Sequence, residues 1–350
     1  LGFKRAQDLV GRSDLLKQVA AFEQIDLQDI LRPAPLQFIS GEAKSASNIS
    51  SSDILALASG ADTAQWYPES LRFAEQLSQT WSQATAESRI IGPRFSSHRV
   101  RDRFNNQYND LPTVSLLLDK GSVPGNGLAA FNAKGVDITV HGGAEDGVGK
   151  MAFGGKIAVL KAPGKTGALI NGSVGKSFAY GAQKGLFLIQ GNADSRACIR
   201  LSGADIVFGG EIAAPLQDEL GCIAARANLK GFAFEYMTNG RAVVLGDPGP
   251  WICAGMTGGI VLQRLQPEMG LDETALKRRI AKGAKVKIAA LDENSKKDLQ
   301  ELLGAYIAEL RNAGQQEAAE RVQALLAQPE NHFVCIVPTT MQADQSVATE

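Results

Sequence analysis

The chain has 350 residues, with 36 Lys and Arg against 37 Asp and Glu and a formal net charge of -1. That balance excludes the broad basic surface with which a general nucleic-acid binder displaces counterions. No apolar run approaches the roughly 18 residues of a membrane-spanning helix. The first residues, Leu1-Gly2-Phe3-Lys4, carry no signal-peptide pattern, so a cytoplasmic protein with neither nucleic-acid nor membrane partners is expected. Leu1 stands where an initiator Met would, so the chain reads as a processed or excised piece of something longer.

In chain order, residues 3–32 read as two short helices. Ser13 is a plausible N-cap ahead of Leu15, Leu16, Val19 and Phe22. Residues 40–64, rich in Ser, Ala and Gly, read as a loose connection. Residues 66–89 read as a helix, with Leu71, Ala74, Leu77 and Trp81 at three- and four-residue steps. Beyond the middle of the chain, Asp272 caps an expected helix at 273–282. Ser295 and Asp298 open another at 296–313 with a Leu299, Leu302, Leu303, Tyr306, Ile307, Leu310 stripe. A helix at 315–327 and a strand at 333–337 follow. The chain thus divides into a helical connector (1–112), a glycine-rich region (113–265) and a helical cap with a final strand (266–350).

The glycine-rich region is the informative one. Of 37 glycines, 28 lie between Gly121 and Gly259. Short apolar runs alternate with them: VSLLL, VDITV, KIAVL, LFLI, CIRL, DIVF, RAVVL and IVLQ. Gly135, Gly155, Gly185, Gly203, Gly240 and Gly259 each stand at or just before such a run, with gaps of 20, 18 and 19 recurring. A period near 20 residues with sharp corners predicts a right-handed parallel β-helix, a mainly β solenoid with flanking helical segments. An antiparallel sandwich is the alternative. Gly154, Gly155, Gly240, Gly255, Gly258 and Gly259 are the candidate structural residues, at corners where a side chain would meet the neighbouring coil or force an unfavourable φ.

Familiar motifs fail on context. Gly125-Asn126-Gly127-Leu128-Ala129-Ala130 fits G-x-G-x-x-A, but another strand follows where a dinucleotide fingerprint must open a helix. Gly175-Lys176-Ser177 resembles the end of a P-loop, yet Ile170 stands where its first glycine belongs. His141 lies near Asp137, Glu145 and Asp146. On a strand, 137 and 141 share a face, which makes a weak polar cluster without a second His or Cys. Asp137, Asp205 and Glu235 are the few carboxylates on central strands. Cys198, Cys222, Cys253 and Cys335 form no CxxC pair, so buried thiols are expected rather than a metal or redox centre. No catalytic, cofactor-binding or metal residue is assigned.

The segment EYMTNGRAVVLGDPGPWICAGMTGGIVLQ (235–263) resembles a signature of the C-terminal GXGXG domain of the glutamate synthase large subunit. EDGVGKMAFGG (145–155), GALINGSVGKSFAYGAQKGLFLIQG (167–191) and LGFKRAQDLVGRSDLL (1–16) resemble further parts of that family. Asn239 stands at the second glycine of the family's EYMTGG, and residues 211–231 and 34–88 depart from its pattern. The resemblance implies a right-handed parallel β-helix that is not itself catalytic. Such a domain braces amidotransferase and FMN-barrel domains within a glutamate-synthesising oxidoreductase. FMN and an iron–sulfur cluster belong to those partner domains, none to this chain. Two alternatives remain open: a scaffold subunit of another redox complex, of the N-methylglutamate synthase or formylmethanofuran dehydrogenase type, and an independent carbohydrate-active β-helix enzyme.

Overall fold

A computed structural model describes residues 13–17, 77–82, 84–104 and 113–339. The chain forms two compact units, Leu1–Trp66 and Tyr67–Glu350. In the first, the described residues hold a single 3-10 turn, Ser13–Leu15.

The second unit is organised by one sheet. Its strands are β1 (Leu77–Ser82), β2 (Val114–Ser122), β3 (Val136–Gly142), β4 (Phe153–Pro163), β5 (Leu169–Asn171), β6 (Lys184–Ile189), β7 (Ser202–Phe208), β8 (Asn239–Val244), β9 (Ile260–Arg264), β10 (Val286–Ala290) and β11 (Phe333–Pro338). The order is β1-β2-β3-β4-β6-β7-β8-β9-β11-β10, with β5 beside β4. Every pair from β1 to β9 along this path is parallel; β11 joins β9, and β10 joins β11, antiparallel. The helices are α1 (Pro93–Phe104), α2 (Ile223–Arg226), α3 (Glu273–Arg279), α4 (Glu293–Asn312) and α5 (Gln316–Ala324).

This corrects the expected parallel β-helix. The regular strands make one mixed, mostly parallel sheet with α4 and α5 packed on one face, an arrangement that fits an α/β fold rather than a several-walled solenoid. The reason lies in the return segments between strands. In residues 127–131, 147–151, 177–181, 196–200, 232–236 and 251–255 every second residue has left-handed, positive-φ backbone. Such backbone cannot join a β ladder. It forms its own hydrogen-bonded file instead: Gly149 N–H donates to Leu128 at 2.9 Å, Cys198 to Phe178 at 2.7 Å, and Phe234 to Ala197 at 2.9 Å. The run CIRL (198–201), expected as a strand, belongs to this file, and the expected helix at 66–89 is a strand over Leu77–Ser82 where described.

The sheet's two faces carry separate cores. The register row Ile138, Ile157, Phe187, Ile206, Ala242, Val261 faces the return file and packs on Leu128, Val148, Phe178 and Ile252. Phe178, Phe187, Phe208 and Phe234 continue it as edge-to-face rings 5.5–6.3 Å apart. The adjacent row, Ala158, Leu188, Val207, Val243, Leu262, packs on Leu299, Leu302, Tyr306 and Ile307 of α4 and Val322 of α5. Burial on both faces explains why these strands read as continuous apolar runs rather than as an alternation.

Helix starts follow from capping. The Asp272 carboxylate accepts from Ala275 N–H at 2.7 Å at the start of α3. In α4 the N-cap is Asp292, not Ser295: Asp292 accepts from Ser295 N–H, and the Ser295 hydroxyl accepts from Asp292 N–H, each at 2.8 Å.

Candidate functional site

The α4 side of the sheet carries most of the polar chemistry. Next to the apolar row lies a polar one: Ser115, Asp137, Lys156, Leu186, Asp205, Arg241. Opposite charges stand on neighbouring strands, and acidic residues of α4 meet the two cations. Lys156 Nζ donates to Glu309 Oε2 at 2.6 Å, and the Thr139 hydroxyl donates to Glu309 Oε1 at 3.2 Å. Arg241 forks onto both oxygens of Asp205 at 2.7 and 2.8 Å. Its other arm reaches Asp298 at 2.7 Å and Glu301 at 2.8 Å. These partners, Asp205 first, raise the Arg241 pKa far above its ordinary value, and Arg241 in turn lowers that of Glu301. Four residues beyond Leu186 along the chain, Gln190 and Gln315 bond through their side-chain amides, and Gln315 also donates to the Lys161 carbonyl.

At the end of this row a shallow open cavity of about 210 Å³ lies among Asp137, Thr139, His141, Lys156 and Glu309. His141 Nδ1 sits 3.0 Å from Asp119 Oδ1. The Lys120 backbone N–H, then the His141 side chain, hold Asp119 below the usual carboxylate range. Asp137 behaves oppositely. Desolvation pushes its pKa up, against the lowering pull of the Lys156 backbone N–H. The expected shared face of Asp137 and His141 is present, and Asp119, Lys156 and Glu309 complete the cluster from other elements. A general base needs a reacting hydroxyl within hydrogen-bond reach. Here the Thr139 hydroxyl is engaged by Glu309, while the His141 ring is engaged by Asp119.

The carboxylates that a glycosidase would pair do not converge. Asp137 and Asp205 lie three strands apart, roughly 14 Å at ~4.8 Å per strand, beyond either glycosidase spacing. Glu235 is in the return file on the other side of the sheet. Gly125-Asn126-Gly127 opens a turn rather than a helix. Cys198, Cys253 and Cys335 are buried free thiols and Cys222 is exposed; burial pushes Cys253 up to about 12 and Cys198 higher. Among the described residues no three His, Cys, Asp or Glu side chains converge as a metal site, so these cysteines do not fit an iron–sulfur cluster.

A second polar lock centres on a buried arginine. Arg279, with no exposed side-chain surface, bonds Asp247 at 2.6 and 2.9 Å and Asp218 at 2.8 and 2.9 Å. Burial opposes its charge, but the two carboxylates hold it protonated. The divergent segment after β7 is thereby tied to α3.

The candidate structural glycines sit at crowded positions. A Cβ on Gly154 would lie 2.5 Å from Lys134 N, and one on Gly155 would meet the Val136 carbonyl oxygen. On Gly240 it would lie 2.6 Å from the Ala204 carbonyl oxygen, and on Gly255 2.6 Å from the Tyr236 ring. On Gly258 it would meet the Thr238 carbonyl, and on Gly259 it would lie 2.8 Å from the Gly240 carbonyl oxygen. Gly155, Gly240, Gly255 and Gly259 also have positive φ.

A glycine-repeat domain whose left-handed positions stack from turn to turn is thus the class that fold and site define. A model of the family described as "GXGXG motif" matches residues 70–215 and 221–339, and the chain belongs to that family, as a glutamate-synthase-related GXGXG domain. It is 32% identical over 254 residues to the glutamate synthase [NADPH] large chain of Azospirillum brasilense, covering 70% of this chain and 15% of that protein. It is 29% identical over 268 residues to the glutamate synthase [NADPH] large chain of Bacillus subtilis, covering 74% and 16%. Glutamate synthase [NADH] of Schizosaccharomyces pombe is 27% identical over 355 residues, covering 98% and 15%. The chain therefore spans about one sixth of the length of these relatives.

Proposed function

We propose that this chain is a non-catalytic structural domain of a glutamate-synthase-type assembly, bracing amidotransferase and FMN domains that themselves move ammonia from glutamine onto 2-oxoglutarate. The observation that carries this reading is the use of polar groups on the α4 face. Lys156 and Thr139 bond Glu309, and Arg241 bonds Asp298, across the helix–sheet contact, Asp205 holds Arg241 within the sheet, and the His141 ring is engaged by the Asp119 carboxylate. Charges held this way fix the geometry of a helix against a sheet. In this reading flavin and iron–sulfur groups sit in partner domains, the glycine-rich stretch 113–265 forms the brace itself, and the protein works in the cytoplasm. For the described residues, no helix is long and apolar enough to cross a membrane.

The test is direct. The purified chain is expected to lack flavin absorbance near 450 nm, to have neither glutaminase nor glutamate synthase activity, and to bind a purified glutamate synthase catalytic portion in size-exclusion chromatography. Activity in the chain alone overturns the reading, as does failure to bind.

A further inference from the structure

The return file has an outer surface as well as an inner one. Its left-handed positions stack in register, and glycine fills only some of them. Phe131, Phe232, Tyr236 and Trp251 occupy others, at φ between 54° and 61°. Their side chains are 52%, 41%, 53% and 51% exposed. Each ring therefore carries two costs: left-handed strain on a residue with a Cβ, and apolar surface left in water. Glycine at the same positions, as at Gly127 and Gly255, avoids both. Some contact is recovered locally, since Phe232 and Trp251 stack with centroids 4.9 Å apart. That stack leaves about half of Trp251 in solvent.

We propose that this face docks onto a catalytic domain of the glutamate-synthase-type assembly, through an apolar patch with an acidic rim on the partner; this rests on the bracing function proposed above. The charge of the face selects that partner chemistry. Lys150, Lys176, Arg196 and Arg200 are exposed along the same file. Its acids include half-buried Asp146, Asp194 and Glu235, of which Asp146 accepts from Lys176 N–H and Asp194 from Ser195 N–H. A second copy of this chain would bring the same cations face to face, so the surface disfavours self-association and complements an acidic rim. Six hydrogen-bonded rungs at ~4.8 Å give a face about 24 Å long, a span that a standard-sized interface needs. Aromatic and Arg side chains are also the residue types that dominate binding energy at such interfaces.

The experiment uses the full 350-residue chain and the purified catalytic portion of a glutamate synthase containing its amidotransferase and FMN domains. Phe232→Asn and Trp251→Gly replace the stacked rings with residues that tolerate left-handed backbone. The thermal midpoint is expected to stay level or rise, while the double variant binds at least tenfold more weakly by calorimetry. Arg196→Glu with Arg200→Glu is expected to slow association and flatten its salt dependence. Unchanged binding by these variants, with the wild type still binding, overturns the docking face while the bracing function stands. A wild-type chain that does not bind overturns both. A fall of several degrees in thermal midpoint for both single variants means the rings are covered within the chain itself, and sedimentation showing a dimer lost in the variants means a second copy; either result overturns the proposal.

Discussion

Two separate physical effects act at Gly259, and substitutions can divide them. Its φ is +81°, and a Cβ there would lie 2.8 Å from the Gly240 carbonyl oxygen and 3.0 Å from the Asn239 carbonyl carbon, both backbone. Backbone neighbours held by the sheet cannot step aside as a side-chain end can. Gly121 has φ +74° with nothing within 4 Å of a Cβ, so it isolates the conformational effect. Gly258 isolates the steric one: its φ lies outside the left-handed region, but a Cβ would collide with the Thr238 carbonyl. Left-handed strain costs about 1–2 kcal/mol, offset by the ~0.4–1 kcal/mol that Gly→Ala gains by restricting the unfolded chain. Gly121→Ala should therefore lose about 0.5–1 kcal/mol. Overpacking adds ~1–3 kcal/mol, so Gly259→Ala should lose about 2–4 kcal/mol and Gly258→Ala an intermediate amount. Urea unfolding read by circular dichroism measures all three. At ~2–4 °C per kcal/mol for a domain of this size, Gly259→Ala should also lower the thermal midpoint by roughly 5–15 °C. Equal losses for Gly259→Ala and Gly121→Ala would refute the crowding argument.

Other outcomes are as specific. Arg279→Met strands the buried Asp247 carboxylate and should cost about 3–5 kcal/mol in urea unfolding, against well under half that for Arg278→Met on the exposed side of the same helix. Arg279 holds Asp218 below the usual carboxylate range, so Asp218 contributes stability that is complete above pH ~4 and lost as pH falls through its folded value. Asp218→Asn should be less stable at neutral pH and flatten the acid limb of a stability–pH curve. Asp137 has the opposite sign: burial raises its folded pKa, so its contribution is present below pH ~4 and lost as pH rises through the folded value. Asp137→Asn should remove that decline and unfold at equal or higher urea near neutral pH; a lower midpoint there would show that attraction to Lys156 outweighs desolvation.

The sequence marks this fold where geometry demands one residue type. Gly135, Gly155, Gly185, Gly203, Gly240 and Gly259 all have positive φ at strand starts, and all six stand out as a repeat in the sequence. The α4 stripe is equally plain, because Leu299, Leu302, Leu303, Tyr306, Ile307 and Leu310 are all buried on the sheet. The return file is hidden for the converse reason. Arg196, Cys198 and Arg200 hold left-handed backbone without glycine, imposed by bonds such as Arg200 N–H to Glu235 at 2.8 Å, so CIRL reads locally as a strand. Without that feature, a 20-residue period implies β walls that the returns do not form. The Leu77 and Trp81 spacing misleads for a simpler reason: four residues is one helical turn and also two strand periods. The polar row on the α4 face joins residues such as Lys156 and Glu309 that are 153 positions apart, which no local pattern reveals.

A sheet buried on both faces loses the usual means of adapting to a ligand. Its strands cannot shift register without moving one apolar row out of each core, because adjacent rows face opposite sides. Along the polar row the same constraint is electrostatic. A shift of α4 by one turn would part Glu309 from Lys156 and Asp298 from Arg241 together, leaving Arg241 with Asp205 alone. Arg279 applies this logic to the divergent segment at Asp218, of which only Leu229 belongs to either apolar core. Each device raises the cost of changing shape. The outer surface of the return file differs in kind: there, left-handed strain and exposed aromatic surface occur together on positions that glycine could fill. In the bracing function proposed above, that face is where contact with a partner domain covers exposed aromatic surface.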